Sequence, residues 1–192
     1  MYIHNELFGN SIYRQLPSPE VDAAWEDITR MGVIAVTTDD ILRAGKDPAY
    51  TVQHPNNPDA YMVMMNVNHQ LHCLNSIRKN LHPEYYYPEG TNSTLHNDHL
   101  YHCMHLIMQA MTCNSDLDII TFNWMEEINT PVPDFSVNKV CRNFRRLKSE
   151  QDAEWERLEN LMVWPKKAGQ VEIPIWDEYL VRLGLKNSNN RH

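Results

Sequence analysis

His69-Gln70-Leu71-His72-Cys73 and, thirty residues later, His99-Leu100-Tyr101-His102-Cys103 are two copies of one pattern, His-x-x-His-Cys, in a chain of 192 residues. Each copy falls in a stretch that reads as helix. The first lies within a helix predicted from about Asn68 to Leu81, with Leu71, Leu74 and Ile77 as its apolar set and Pro83 as its stop. The second lies within a helix predicted from about Leu95 to Thr112, capped by Thr94. Residues three apart are neighbours on a helix surface, so each copy sends two imidazoles to one side. The cysteine, four residues after the first histidine, joins them there. The Pro-, Gly- and Tyr-rich connection over 82–93 is short, which predicts antiparallel helices. His69, His72, His99 and His102 then converge between two helices. They are the candidate metal ligands and the candidate catalytic residues.

Outward from this hairpin the chain reads as mainly α, a compact single domain with few short strands and long loops. Residues 1–17 are expected to be a flexible lead-in, 18–185 the single catalytic domain and 186–192 a frayed tail. Ser18-Pro19-Glu20 starts a helix, with Ser as cap and Pro at the first position, and Val21, Ala24, Trp25 and Ile28 form its apolar face until Gly32. Val33 to Val36 is β-branched and short, a strand. Asp39 to Ala44 is a short helix. Pro48, Pro55 and Pro58 make 45–60 a loop, and Tyr61 to Val67 is ambiguous. Pro131 and Pro133 are expected to break regular structure in 114–140. Ser149 to Met162 reads as a helix with a Ser149/Asp152 capping box, and Ile175 to Leu183 as a last short one.

His96 and His105 extend the second copy at three-residue intervals. That spacing drifts round a helix by about 60° per step, so not all of these histidines can face one ion. His96, one turn before His99, is a candidate additional ligand; His105 faces elsewhere. Imidazole suits zinc, copper, iron and nickel. The motif supplies no carboxylate of the kind that non-haem iron sites combine with two histidines. Structural zinc prefers several thiolates at Cys-x2–4-Cys spacing, which is absent. Copper accepts His-rich sites and supports oxygen chemistry. Copper ranks first, then zinc or iron.

The cysteines, Cys73, Cys103, Cys113 and Cys141, are either thiolate ligands or two disulfides. Ten helical residues between Cys103 and Cys113 span about 15 Å, too far to bridge. That leaves Cys73–Cys103 with Cys113–Cys141, slightly preferred, or Cys73–Cys113 with Cys103–Cys141. A net charge of -8 argues against general nucleic-acid binding. The chain has no 18-residue apolar run and its first residues make no signal peptide. Asn92-Ser93-Thr94 is its one glycosylation sequon, with Asn92 as acceptor. The ten methionines read chiefly as core filler.

These residues resemble the UstYa-like family of fungal secondary-metabolite oxidases. Residues 17–25, PSPEVDAAW, look like that family's opening segment, and residues 69–78, HQLHCLNSIR, its first signature. His99 to Cys103 with Cys113-Asn114-Ser115-Asp116 is similar to the second signature, and Cys141-Arg142-Asn143-Phe144 to a late Cys-Arg segment. The resemblance covers about residues 17–148. It implies a copper-dependent oxidoreductase that uses molecular oxygen to cyclise, hydroxylate, desaturate or chlorinate a peptide or small molecule. It also implies a homo- or heterodimer with a paralogue. Location on the lumenal side of the secretory pathway follows too, anchored by an N-terminal transmembrane helix this chain lacks; a lumenal origin favours disulfides over free thiols. Many relatives carry His two residues before the late Cys, where this chain has Lys139. Two other readings compete: a non-redox accessory protein whose hairpin is held by zinc or disulfides, and a cofactor-independent cyclase using the histidines as acid–base groups.

Overall fold

The computed structural model describes residues 2–3, 10–30, 32–91, 93–157, 166, 169–176 and 180–181. In chain order its elements are β1 (Tyr2–Ile3), α1 (Pro19–Thr29), β2 (Val33–Thr37), α2 (Thr38–Arg43), β3 (Gln53–His54), β4 (Asn57–Met64), α3 (Asn66–Asn80), α4 (Pro83–Tyr86), α5 (Thr94–Asn114), β5 (Thr121–Asn123), β6 (Val132–Asp134), β7 (Val137–Asn138) and α6 (Phe144–Arg157). The chain is mainly helical with a few short strands, as expected. No helix among the described residues is long and apolar enough to cross a membrane.

Helix α1 starts where the sequence places it. The Ser18 hydroxyl accepts from Val21 N, and Pro19 occupies the first turn. β2 pairs antiparallel with β4, from Val33↔Met64 to Thr37↔Ala60, and β3 adds to the other edge of β4. Part of the expected 45–60 loop is therefore sheet. Pro58 is tolerated because the β3/β4 register shifts beside it and β2 pairing stops at Ala60, so its missing N–H removes no ladder bond.

Three further expectations are corrected. Helix α5 begins at Thr94, and its cap is Ser93, whose Oγ accepts from His96 N at 3.0 Å. The 114–140 segment contains a ribbon, β5 against β6, with Phe122 opposite Pro133. A two-stranded ladder leaves alternate N–H groups outward, so proline fits. Helix α6 begins at Phe144, where Asn143 Oδ1 accepts from Arg146 N at 3.0 Å. Ser149 is thus inside the helix and donates to Arg146 O at 2.9 Å instead of forming a capping box. Ile175 and Trp176, the expected start of the last helix, are not helical, whereas 180–181 are; the expected α6 face beyond Arg157, residues 177–179 and 182–183, Asn92 and the 186–192 tail lie outside the described residues.

Two sets of buried contacts fix α3, the carrier of the first motif. At its start, Asn68 (4% exposed) and Gln151 of α6 (2%) exchange amide bonds of 3.3 and 2.8 Å, and Asn68 Nδ2 also donates to Arg30 O at 3.1 Å. α6 passes close to Gly32, where a Cβ would meet Gln151 Cβ at 3.4 Å, an ordinary van der Waals contact. Beside this pair Trp155 packs on buried Val33 and Met62. At the far end, Arg78 is enclosed. Its guanidinium donates to Asn75 Oδ1 (2.8 Å), Tyr86 OH (2.7 Å) and Asp22 Oδ1 (2.9 Å) and lies over the rings of Trp25 (5.1 Å) and Tyr86 (5.0 Å). Tyr86 OH also donates to Asp22, at 2.5 Å. Burial pushes the Asp22 carboxyl upward, but the bonds from Tyr86 and Arg78 outweigh it and leave the group below its ordinary value.

Candidate metal centre

The two motifs meet between α3 and α5. His69 faces His102 with ring centres 5.6 Å apart, and His72 faces His99 at 5.7 Å. The first residue of one copy opposes the second of the other, so the helices run antiparallel, as the short connection predicts. Along α3, His69 and His72 lie 6.3 Å apart with nearly parallel rings. His69 and His72 are half-buried, whereas His99 and His102 are exposed. Cys73 and Cys103 are fully buried, at 0% exposure.

This arrangement passes a test of fit for an ion. Imidazole nitrogen bonds a metal at about 2.0–2.1 Å, which puts the centres of two rings sharing one ion roughly 4.5–6.4 Å apart, depending on the angle. Both cross-helix separations fall inside that range. Among the described residues, however, no three His, Cys, Asp or Glu side chains are gathered as a metal site. The four rings are neighbours in two facing pairs.

Burial comes first in holding His69 below its ordinary value of 6.5, followed by the His102 and His99 imidazoles. Burial also leads for His72, followed by His99, His69 and Lys79. Neutral imidazole is the ligating form. The unfolded chain protonates these two groups more readily than the folded one. Their contribution to stability is therefore complete above pH 6.5 and is lost as pH falls through the depressed folded values. The melting temperature of metal-free protein is expected to drop between about pH 7 and about pH 5. The drop should be shallower in His69→Gln/His72→Gln, and equal slopes by differential scanning fluorimetry would refute this account.

All four cysteines are free thiols. Cys73 and Cys103, one expected cross-helix pair, are brought together. Burial pushes the Cys103 thiol up to about 12, and the hydrogen bond its S–H gives to neighbouring Cys73 adds to the rise. Cys103 Sγ also lies 3.6 Å from His99 Nε2. Thiolate, the reactive form, is suppressed here. Cys113 and Cys141 are exposed. Iodoacetamide on the native protein should therefore label Cys113 and Cys141 and spare Cys73 and Cys103, as read by peptide mass spectrometry. Labelling of all four at one rate would contradict the packing.

His96 takes a different position. Its Nε2 bonds Asn80 Oδ1 at 2.9 Å, and its ring meets Tyr87 edge-on at 5.2 Å. It ties the start of α5 to the end of α3. His105 is exposed. Acids two residues after a histidine do occur outside the motifs, in His4-Asn5-Glu6, His82-Pro83-Glu84 and His96-Asn97-Asp98. His82 Nδ1 lies 3.6 Å from Glu84, and His96 is engaged by Asn80. The motif reading missed the supporting residues Asn68, Asn75, Arg78 and Gln151. The run HQLHCLNSIR holds Asn75 and Arg78, and their place in a signature was the available signal. Gln151 had none.

Residues 2–168 match the family model described as mycotoxin biosynthesis protein UstYa. The chain belongs to the UstYa family. Among its relatives, UstYa family oxidase aprY of Aspergillus flavus is 38% identical, over 81% of this chain and 53% of its own length. UstYa family oxidase phomYc of Diaporthe leptostromiformis is 28% identical, over 75% of this chain and 59% of its own. UstYa family oxidase VicYb of Bipolaris victoriae is 34% identical over 44% of this chain and 72% of its own. The chain thus spans little more than half of aprY and phomYc. No solved structure matches it. In this UstYa-family chain Lys139 forms ion pairs with Asp116 and Asp118 (3.1 Å to the latter). Bonds to Asp116 and then Asp118 raise the Lys139 amine above its ordinary value, and the same contact lowers Asp116. Lys139 thereby ties the segment after α5 to the strand before Cys141.

Proposed function

We propose that this UstYa-family chain is the metal-binding unit of a copper-dependent oxidase that tailors a peptide or small molecule in fungal secondary metabolism. The observation that carries the reading is the meeting of both His-x-x-His-Cys copies across one helix pair, with four imidazoles in contact. The oxidase names of its relatives support the reaction class. His69, His72, His99 and His102 would hold the metal. Copper, when bound, supplies one-electron redox chemistry and oxygen activation.

The chain's own residues divide the remaining work. His69 and His72, half-buried and biased toward the neutral form, are ready to ligate without first losing a proton. His99 and His102 leave the outer side open for a substrate to approach. Cys73 and Cys103 fill the helix crossing and keep water from it. Asn68 and Arg78 fix α3 at both ends, so the rings are presented by a rigid support.

The test is copper content. Purified protein loaded with copper and desalted is expected to retain it. Each of His69→Ala, His72→Ala, His99→Ala and His102→Ala should lose at least half, with oxygen consumption falling by about 100-fold or more. Copper content and oxidase activity unchanged in all four variants would defeat the proposal.

A further inference from the structure

We infer that the four imidazoles work as two cross-helix pairs, His69 with His102 and His72 with His99, each holding its own copper ion. This rests on the metal-binding reading above and adds how many ions there are and which residues share them.

The first support is an equivalence between the copies. Interchanging His69 with His99 and His72 with His102 turns the 5.6 Å pair into the 5.7 Å pair. The two cross-helix pairs therefore match in ring separation, though not in tilt (33° and 51°), on either side of the helix crossing where Cys73 and Cys103 are buried against each other. Each pair offers an ion nearly the same ring separation.

Distance is the second support. An ion at the centre of all four rings would stand about 4 Å from each ring centre, given sides of 5.6–5.7 and 6.3 Å. A nitrogen bonded at about 2.0–2.1 Å puts its ring centre only about 3.2 Å from the ion. A single shared ion therefore requires all four rings to move inward by nearly an ångström. An ion within either cross-helix pair requires no change in ring separation and tolerates a bent nitrogen–ion–nitrogen angle, whereas the 6.3 Å between His69 and His72 admits an ion only at a nearly straight angle. Cys103 Sγ lies 3.6 Å from His99 Nε2, beside the His72–His99 pair.

Two like charges this close repel, so the second ion binds more weakly than the first. Whole protein would be titrated anaerobically with copper(I) against a colorimetric chelator, and each variant checked for an unchanged far-UV spectrum. Wild type is expected to take up two equivalents in distinguishable steps. His69→Ala/His102→Ala, which removes one pair, should keep one equivalent at close to first-step affinity, within about tenfold. His69→Ala/His72→Ala, which breaks both pairs, should lose both equivalents, each weakened by about 100-fold or more. Saturation of wild type at one equivalent, or equal loss in the two double variants, would overturn the pairing and leave a single four-histidine site. Failure of wild type to bind copper(I) at all would overturn the metal reading along with it.

Discussion

Arg78→Ala is expected to lower stability by about 3–5 kcal/mol, a large share of what a domain of this size has. Only 12% of the Arg78 side chain and 21% of the Asp22 side chain are exposed. The substitution takes the one guanidinium from the Asp22 carboxylate, which keeps its bond from Tyr86 OH, and removes donors from Asn75 and Tyr86. It also takes a cation away from the faces of Trp25 and Tyr86. Removing one partner of an enclosed charge pair is costly because the other charge stays behind. At about 2–4 °C per kcal/mol for this length, the melting temperature should fall by roughly 6–20 °C. Arg78→Lys should recover part of this, since an ammonium can meet Asp22 but cannot reproduce the fork to Asn75 and Tyr86. A thermal melt of Arg78→Ala within a degree or two of wild type would show that the enclosure contributes nothing.

Gln151→Ala should cost about 2–3 kcal/mol by a different route. Asn68 would keep its bond to Arg30 O and lose both bonds to Gln151. Its side-chain oxygen would be left buried without a donor, and that penalty exceeds the value of an ordinary hydrogen bond. If this is the cause, the damage is conditional on the orphan. Asn68→Leu/Gln151→Met, which replaces both amides with apolar groups of similar size, should lie within about 1 kcal/mol of wild type. A double-mutant cycle from chemical denaturation measures the coupling. Additive losses in the double variant would rule out the amide exchange as the source. Because Asn68 immediately precedes His69, Gln151→Ala is also expected to weaken copper retention, although Gln151 is not among the contacts of the four rings.

The hairpin was legible in the sequence because its signals are local and repeated. Spacing three residues apart sets the side of a helix on which His69 and His72 emerge, and a short connection sets antiparallel direction. The facing of His69 with His102 follows from these alone. α1 was legible for the same reason, since Ser18 and Pro19 mark its start within two residues. The β3–β4 hairpin and the β5–β6 ribbon were not. Proline argues against a strand locally, but whether a missing N–H matters depends on which edge it meets, and that is a tertiary fact. The α6 start was misplaced because Ser149 and Asp152 mimic a cap, while the working cap, Asn143, lies just after the Cys-Arg pair. His96 resembled a ligand by spacing; its engagement by Asn80 and Tyr87 depends on where the connecting loop returns. The Asn68–Gln151 exchange joins residues 83 positions apart and leaves no periodic trace.

Exposure is unequal around the histidine cluster: half-buried on α3, open on α5. The α5 rings stand on an accessible helix face, so the reacting part of a substrate need not be a free end small enough to enter a deep cleft. A residue in the middle of a long chain could be laid across α5 with both flanks continuing into solvent. Selection among such substrates would then fall to surfaces beside the rings, and the size of what is modified would be set by no wall of this helix pair.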